Sequence, residues 1–266
     1  MSKDPTPSHG GGFLSKLGFR SSPAIANTSP FGLKVFAEGS NPTVDIVAVH
    51  GLNGHREQTW TANNGVNWLR DLLPNDIPNA RILSWGYDAK THRTSQVSCH
   101  CLVYRDAYTL VDDFCQNRAR TNSMERPIIF VAHSLGGIVV KSALLHSELA
   151  RRGFREEYRS IRNSTYGIIF MGTPHFGADA AQVASLLVNV VSLYIRTTKD
   201  ILKHLERDSE WLQQQLAQYG AISGDFVTQY AYKEYKTKTL GGSCIMSSPV
   251  TLVPNPFASM PTIETW

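Results

Sequence analysis

The sequence lacks the features that mark several large classes of protein. Its four cysteines, Cys99, Cys101, Cys115 and Cys244, show no spacing typical of a disulfide framework. Residues 1–30 contain no apolar segment of the kind that forms the centre of a signal peptide. Both absences favour free thiols in a reducing compartment, so we predict a cytoplasmic location.

Strong charge and long apolar segments are also missing. The net charge is only +4, and aromatic residues do not interleave with basic ones, so we expect no binding to nucleic acid. The longest apolar helical pattern, residues 178–195, contains polar residues and is short for a bilayer, which requires about 20 residues. A hydrophobic content of 42% with 18% charged residues is typical of a soluble globular protein.

Composition divides the chain into three parts. Residues 1–30 are rich in glycine, serine and proline and are predicted to form a disordered leader. Residues 31–248 are predicted to form one folded domain, with a helical insertion at 178–220. Residues 249–266 are predicted to be an irregular tail. The apolar helix of the insertion either covers an apolar site as a lid or packs on the sheet.

Strand patterns alternate with helix patterns along the folded part. Strands are predicted at 31–36, 44–49, 80–86, 128–131, 166–171, 226–235 and 243–248. Helices are predicted at 68–73, 106–118, from 136 onward and at 199–218, the first being ended by Pro74. This order predicts an α/β fold with a mostly parallel sheet and helices on both faces. Ligands bind beyond the carboxyl ends of such strands, where His50, Ser134 and Thr173 are expected to converge.

One segment carries the signature of a nucleophile. Ala132-His133-Ser134-Leu135-Gly136 joins a buried strand to a helix and matches the elbow motif G-x-S-x-G, with alanine in the first glycine position. Small residues are required there because larger side chains would collide across the strained turn. The alternative is an ordinary strand-turn-helix connection whose serine only caps the helix.

An elbow serine requires partners for acyl transfer. Its hydroxyl becomes nucleophilic when a histidine removes the proton and an acid orients that histidine. The tetrahedral oxyanion needs two amide donors, one of which follows the serine. We therefore predict that Leu135 and Leu52 supply the N–H groups, since Leu52 lies in the turn His50-Gly51-Leu52 that follows an earlier strand.

Four motifs, at residues 47–60, 82–88, 131–137 and 170–177, together resemble a known family. They are similar to the α/β-hydrolase domain of the serine active-site-containing, PGAP-like lipase-like proteins, and most of all to fungal versions at the N-terminus of NACHT, ankyrin or TPR proteins. The resemblance covers residues 31–248. It implies an α/β-hydrolase fold, carboxylic or lipid ester substrates, and in animal members an association with mitochondrial or reticular membranes.

The resemblance fails at the catalytic histidine. Elbow enzymes place residues in the order serine, acid, histidine, but no histidine follows His204 in this sequence. His175 is the candidate substitute base, and Glu234, after a predicted strand, is the candidate acid. The alternatives are a hydrolase-fold module without efficient catalysis, serving binding or signalling, and a chain that lost its last strand at the gene-model or splice level.

Other partners are expected to be few. Cys99-His100-Cys101 offers adjacent positions without a distant second pair, so we predict no metal, and no cofactor is expected. The basic leader, with Lys16 and Arg20, favours peripheral contact with a membrane surface. The sequence leaves the oligomeric state and the acyl group of the substrate open.

Overall fold

A computed structural model describes residues 29–89, 99–150, 156–173 and 201–231, together with three two-residue strands. The longer strands are β1 (Gly32–Ala37), β2 (Val44–Val49), β3 (Ala80–Gly86), β4 (Ile128–His133), β5 (Thr165–Met171) and β6 (Val227–Ala231). The short ones are β7 (Thr237–Lys238), β8 (Cys244–Ile245) and β9 (Val253–Pro254). The bounds of β1 to β6 lie within a few residues of the predicted strands, and β8 lies inside the strand predicted at 243–248. The sequence patterns predict no strand at β7 or β9.

Seven strands form one sheet in the order β1-β3-β2-β4-β5-β6-β9. The five inner strands, β3, β2, β4, β5 and β6, run parallel, while β1 and β9 pair antiparallel at the two sides. β7 and β8 pair only with each other. The predicted mostly parallel α/β architecture is therefore confirmed. β9 lies beyond residue 248, the predicted end of the folded domain.

Side chains alternate between two apolar layers, as the period of a strand requires. Val47 and Val49 of β2 join the core on one face of the sheet, whereas Ile46 and Ala48 join the core on the other. Strands buried on both faces are typical of parallel sheets. The sheet is thus a rigid platform, and its carboxyl edge holds the candidate site.

Helices and helical turns cover the sheet. They are a turn at Trp68–Leu72 that continues into α1 (Leu73–Asp76), then α2 (Cys99–Arg120), α3 (Leu135–Glu148), α4 (Arg159–Ser164) and α5 (Ile201–Gly220). Short 3-10 turns lie at Gln58–Trp60, Glu156–Tyr158 and Ser223–Asp225. α5 forms the second part of the predicted insertion, while the apolar pattern at 178–195 lies outside the described residues.

Two helix predictions differ from the structure. Pro74 does not end the first helix but lies in the first turn of α1, where a missing N–H is tolerated. α2 begins at Cys99, well before the predicted start at residue 106. Its first turns bury Leu102 and Val103, whose spacing continues that of Leu110 and Val111.

α3 is buried along most of its length. Lys141 is 1% exposed, and its Nζ lies 5.0 Å from the ring centre of Phe170 and 5.4 Å from that of Tyr219. Burial lowers the pKa of Lys141 to about 7. In the described part of the chain, no helix has the length and apolar character needed to cross a membrane.

Candidate active site

Ser134 occupies the tight turn between β4 and α3. Its backbone has φ 50° and ψ −121°, a conformation that residues with a Cβ rarely adopt. The Ser134 N–H donates to the carbonyl of Met171 at 2.8 Å. The Ser134 carbonyl accepts from Thr173 Oγ1 at 3.0 Å and from the Gly137 N–H at 3.1 Å. Hydrogen bonds on both sides of the residue therefore hold the strained turn in place.

Glycines after the serine make room for neighbouring segments. A methyl group at Gly136 would lie 2.3 Å from the His50 carbonyl oxygen and 2.5 Å from that of Val49. A methyl group at Gly137 would lie 2.2 Å from Thr173 Oγ1. The elbow thus needs small residues because the loops that follow β2 and β5 pack directly against it.

Residues 50–54, which we call the oxyanion loop, follow β2 and lie beside the serine. A methyl group at Gly51 would be 2.8 Å from Ser134 Cβ and 2.9 Å from the His133 carbonyl oxygen. The structure thus brings His50, Ser134 and Thr173 together at the carboxyl edge of the sheet, in the arrangement expected for a parallel sheet.

Two amides at this edge are available to a ligand. Within the described part of the chain, neither the Leu52 N–H nor the Leu135 N–H donates to a protein acceptor. Leu135 is the first residue of α3, whose amino end carries partial positive charge. Leu52 adjoins Gly51, which contacts the serine. Both amides therefore belong to segments that border Ser134, and they are the candidate donors for an oxyanion formed on it.

His50 is a structural residue of the loop. It is 1% exposed, and burial lowers the pKa of its imidazole to about 4, so the ring is neutral at pH 7. Its Nδ1 lies 2.9 Å from the Gly51 carbonyl oxygen, which can only accept, so Nδ1 carries the proton. Nε2 then accepts from the Tyr87 N–H at 3.4 Å. With both nitrogens engaged, His50 is not available as the base for Ser134.

The predicted base and acid are not among the residues that the structure describes. His175 and Glu234 both lie outside the described residues. His133 is exposed, and its Nδ1 would lie 3.1 Å from a methyl group at Gly51. Among the described residues, the Ser134 hydroxyl has no hydrogen-bond partner. The described site thus contains the candidate nucleophile and two candidate amide donors.

Cavity size does not identify this site. A cavity of about 880 Å³ lies at the opposite, amino edge of the sheet, lined in part by Asn163, Tyr166 and Asp225. It contains none of the elbow residues. No group of three or more histidine, cysteine or acidic side chains in the described residues could hold a metal ion.

Sequence reasoning missed Tyr87. This residue follows β3 in the segment Trp85-Gly86-Tyr87-Asp88, which carried part of the family resemblance but had no assigned role. In the structure, the Tyr87 ring stacks on His50 with centroids 4.6 Å apart, and its hydroxyl donates to the His50 carbonyl at 3.0 Å. The available signal was its position directly after a strand end, next to the strand that leads into the oxyanion loop.

The sequence matches one family over most of its folded part. The profile of the family described as "Putative serine esterase (DUF676)" matches residues 40–210. This range includes the oxyanion loop, the elbow and the loop that follows β5. It ends before β6.

Relatives and solved structures agree with this match. Protein SERAC1 of Bos taurus is 28% identical over 186 residues, and that of Danio rerio is 31% identical over 188 residues. Each alignment covers 64% of this chain, which spans only about a quarter of the length of these relatives. The Bacillus licheniformis lipase BlEst2 superposes with a TM-score of 0.51 at 16% identity, covering 79% of this chain and 75% of the lipase. That likeness shows the α/β-hydrolase fold.

Proposed function

The chain belongs to the serine esterase family DUF676, and we propose on that basis that it hydrolyses carboxylic or lipid esters through an acyl-enzyme on Ser134. The observation that carries the proposal is the elbow itself. Ser134 is held at φ 50° beside two amides that have no acceptor in the described part of the chain. A serine that only capped α3 would accept a hydrogen bond at its side chain, and Ser134 makes no such bond.

The proposed reaction proceeds in two steps. The Ser134 oxygen attacks the ester carbonyl while its proton moves to a base, and the carbonyl oxygen becomes an oxyanion held by the Leu52 and Leu135 amides. The carbon–oxygen bond to the alcohol then breaks, and the alcohol takes the proton. Water attacks the acyl-serine in the same way, which releases the acid and restores the hydroxyl.

We propose His175 as the base and Glu234 as the acid. In the sequence, His175 comes four residues after the end of β5 and Glu234 three residues after the end of β6, and both strands run parallel to β4, which leads into Ser134. Replacing His175 with glutamine is expected to lower the rate by about 10⁴-fold or more, and Glu234→Gln by a smaller factor. A histidine replacement without effect on the rate would exclude this assignment.

A fluorophosphonate probe tests the nucleophile directly. The intact chain is expected to form a covalent adduct, and Ser134→Ala is expected to lose it. Ser160→Ala is a matched control, because Ser160 is a half-buried serine outside the elbow whose hydroxyl donates to the Glu157 carbonyl at 2.6 Å. Absence of labelling in the intact chain would instead support the alternative function, a hydrolase-fold module that binds or signals without efficient catalysis.

The proposal also covers the substrate class, the membrane contact, the location and the origin of the protein. We propose an ester or lipid substrate, peripheral membrane contact and a cytoplasmic location, with the surface of mitochondria or the endoplasmic reticulum as the alternative. We also propose a fungal origin next to NACHT, ankyrin or TPR regions, as the motif resemblance implies. Fractionation of the tagged protein and sequencing of the surrounding gene test these points.

The proposed domain limits are 31–248, with an insertion at 178–220. Limited proteolysis with mass spectrometry tests them. Early cleavage in residues 1–30 and within the insertion, with protection of β2 to β5, is the expected pattern. Early cleavage within β2 to β5 would contradict these limits.

A further inference from the structure

We propose that Tyr87 is a positioning residue that clamps the oxyanion loop so that the Leu52 amide faces the carbonyl attacked by Ser134. The inference rests on the proposed function and adds a residue to its machinery. Tyr87 does not touch the reacting atoms in this proposal. It acts through His50 and the backbone of the loop.

The clamp begins with three contacts between Tyr87 and His50. The two rings are nearly parallel, with an interplanar angle of 7° and centroids 4.6 Å apart. The Tyr87 hydroxyl donates to the His50 carbonyl at 3.0 Å, and the Tyr87 N–H donates to His50 Nε2 at a longer 3.4 Å. One tyrosine therefore fixes both the side chain and the backbone of the first loop residue.

Hydrogen bonds connect His50 to the rest of the oxyanion loop. Its Nδ1–H donates to the Gly51 carbonyl at 2.9 Å. The same carbonyl accepts from the Gly54 N–H at 3.0 Å, and the Asn53 N–H donates to the Ala89 carbonyl at 3.1 Å. The peptide groups on both sides of Leu52 are thus held by hydrogen bonds, while its own amide has no protein acceptor in the described part of the chain.

The His50 carbonyl oxygen is also the point where the loop meets α3. It would lie 2.3 Å from a methyl group at Gly136, one residue after the other proposed donor, Leu135. A shift of this carbonyl would therefore change the spacing between the two donors. Displacements of about 1 Å in an active site are enough to cost roughly 100-fold in rate.

Tyr87 in turn packs against Trp85. Its ring stacks on Trp85 with centroids 5.2 Å apart, and Trp85 Nε1 donates to Asp113 Oδ2 of α2 at 2.8 Å. This row of side chains connects the loop to a long helix. A residue that only filled the core would need the ring but not the hydroxyl, and this difference makes the proposal testable.

Tyr87→Phe removes only the hydroxyl. We expect kcat for an activated oxoester, such as a p-nitrophenyl ester, to fall about 10- to 100-fold with KM changed less than about twofold. The matching thionoester, whose sulfur is a weaker acceptor, is expected to lose less than about threefold. Tyr219→Phe is the control, since Tyr219 is another buried tyrosine stacked on a ring, that of Phe226, and lies away from the loop.

The ratio of oxoester to thionoester rates decides the proposal. A ratio at least about threefold lower in Tyr87→Phe than in the wild type, with a normal ratio in Tyr219→Phe, supports it. A ratio less than about threefold lower than that of the wild type overturns it, because similar losses on both esters indicate a general structural role and no loss indicates no role.

A second measurement separates this inference from the proposed function. If the wild type hydrolyses neither ester, the proposed function has failed. Nuclear magnetic resonance of the His50 imidazole then tests, without any reaction, whether Tyr87 holds His50 in place. The ring is expected to stay in one neutral tautomer with a pKa of about 4 in the wild type, chiefly because it is buried, with smaller contributions from the charges of His55 and His133. Tyr87→Leu removes the stacked ring and is expected to raise that pKa towards 6.5. An unchanged pKa in Tyr87→Leu would overturn the clamp.

Discussion

The polar groups at the carboxyl edge of the sheet differ from those at its amino edge in whether they have partners within the protein. At the carboxyl edge, Ser134 is held at a positive φ beside amides that the described part of the chain leaves without acceptors. At the amino edge, Asp45 is fully buried, and its two carboxylate oxygens each lie 2.8 Å from a guanidinium nitrogen, one of Arg118 and one of Arg126. Amide donors at the carboxyl edge are therefore available to a ligand, whereas the charge of Asp45 at the amino edge is paired with protein side chains.

We expect the carboxyl edge to determine the reaction of Ser134 and the amino edge to contribute mainly to the stability of the fold. Arg118 also donates to the carbonyls of Met124 and Arg126, so the ion pair closes the turn between α2 and β4. Nothing in that arrangement could respond to a substrate. Substitutions at the amino edge should therefore change the free energy of unfolding, whereas substitutions at the carboxyl edge should change the reaction of Ser134 as well.

The largest effect on stability is expected from Arg118→Met. It leaves the fully buried Asp45 with only Arg126, and breaking a buried pair costs about 3 to 5 kcal/mol. Urea unfolding measures the change. Probe labelling of Ser134 per folded molecule should not change. The matched control is Arg70→Met, because Arg70 and Asp71 form an exposed pair, and the loss of an exposed pair changes the stability little. A loss of probe labelling in folded Arg118→Met would show that the amino edge also affects the reaction of Ser134.

Lys141 provides a pH-dependent comparison within α3. Its folded pKa of about 7 lies below the ordinary lysine value of 10.5, so the unfolded chain binds more protons between those values. The cost of burying the charge is therefore full below pH 7 and disappears as the pH rises towards 10.5. Lys141→Met is expected to be more stable than the wild type by several kcal/mol near pH 6, and by less as the pH rises.

Urea unfolding across that pH range measures the Lys141 effect. Lys34→Met serves as the control, because Lys34 is 39% exposed and pairs with Glu57 at 2.8 Å, so its effect on stability should be small. A constant difference between Lys141→Met and the wild type from pH 6 to pH 10 would show that the ammonium group is charged throughout.

Gly136→Ala tests the close approach of the oxyanion loop to α3. The added methyl group would lie 2.3 Å from the His50 carbonyl oxygen, so the loop or the helix must shift, at a cost of about 2 kcal/mol. Probe labelling should fall together with the melting temperature. In Gly220→Ala, the control, no atom lies within 4 Å of the added methyl group, and the stability should be equal or slightly higher. Normal stability and labelling in Gly136→Ala would mean that the loop tolerates movement.

The smallest effect concerns the strain at Ser134. Glycine adopts φ 50° more easily than serine or alanine, so Ser134→Gly is expected to be more stable than Ser134→Ala by about 1 kcal/mol. Both variants should lose probe labelling, and calorimetry compares their stabilities. If Ser134→Gly is no more stable than Ser134→Ala, the turn at the carboxyl edge carries no strain.

Local patterns in the sequence determined the fold class and the candidate nucleophile. Alternating apolar strands and amphipathic helices encode the parallel sheet, and the small residues around Ser134 mark the turn whose φ of 50° the structure shows. The start of α2 could have been found as well, since Leu102 and Val103 continue its helical spacing. The error at Pro74 arose because proline ends a helix in its interior but not in its first turn.

Only the tertiary structure decided the contacts that separate the two edges. His50 meets Tyr87 across 37 positions and Asp45 meets Arg118 across 73, because β2 pairs in parallel with β3 and β4. A parallel pair requires a long crossover, so neither contact leaves a local spacing that could be read from the sequence. The sequence thus determined that a serine stands at a strand end. The packing of distant segments decided which residues hold the loop beside that serine and which residues bury their charges at the far edge.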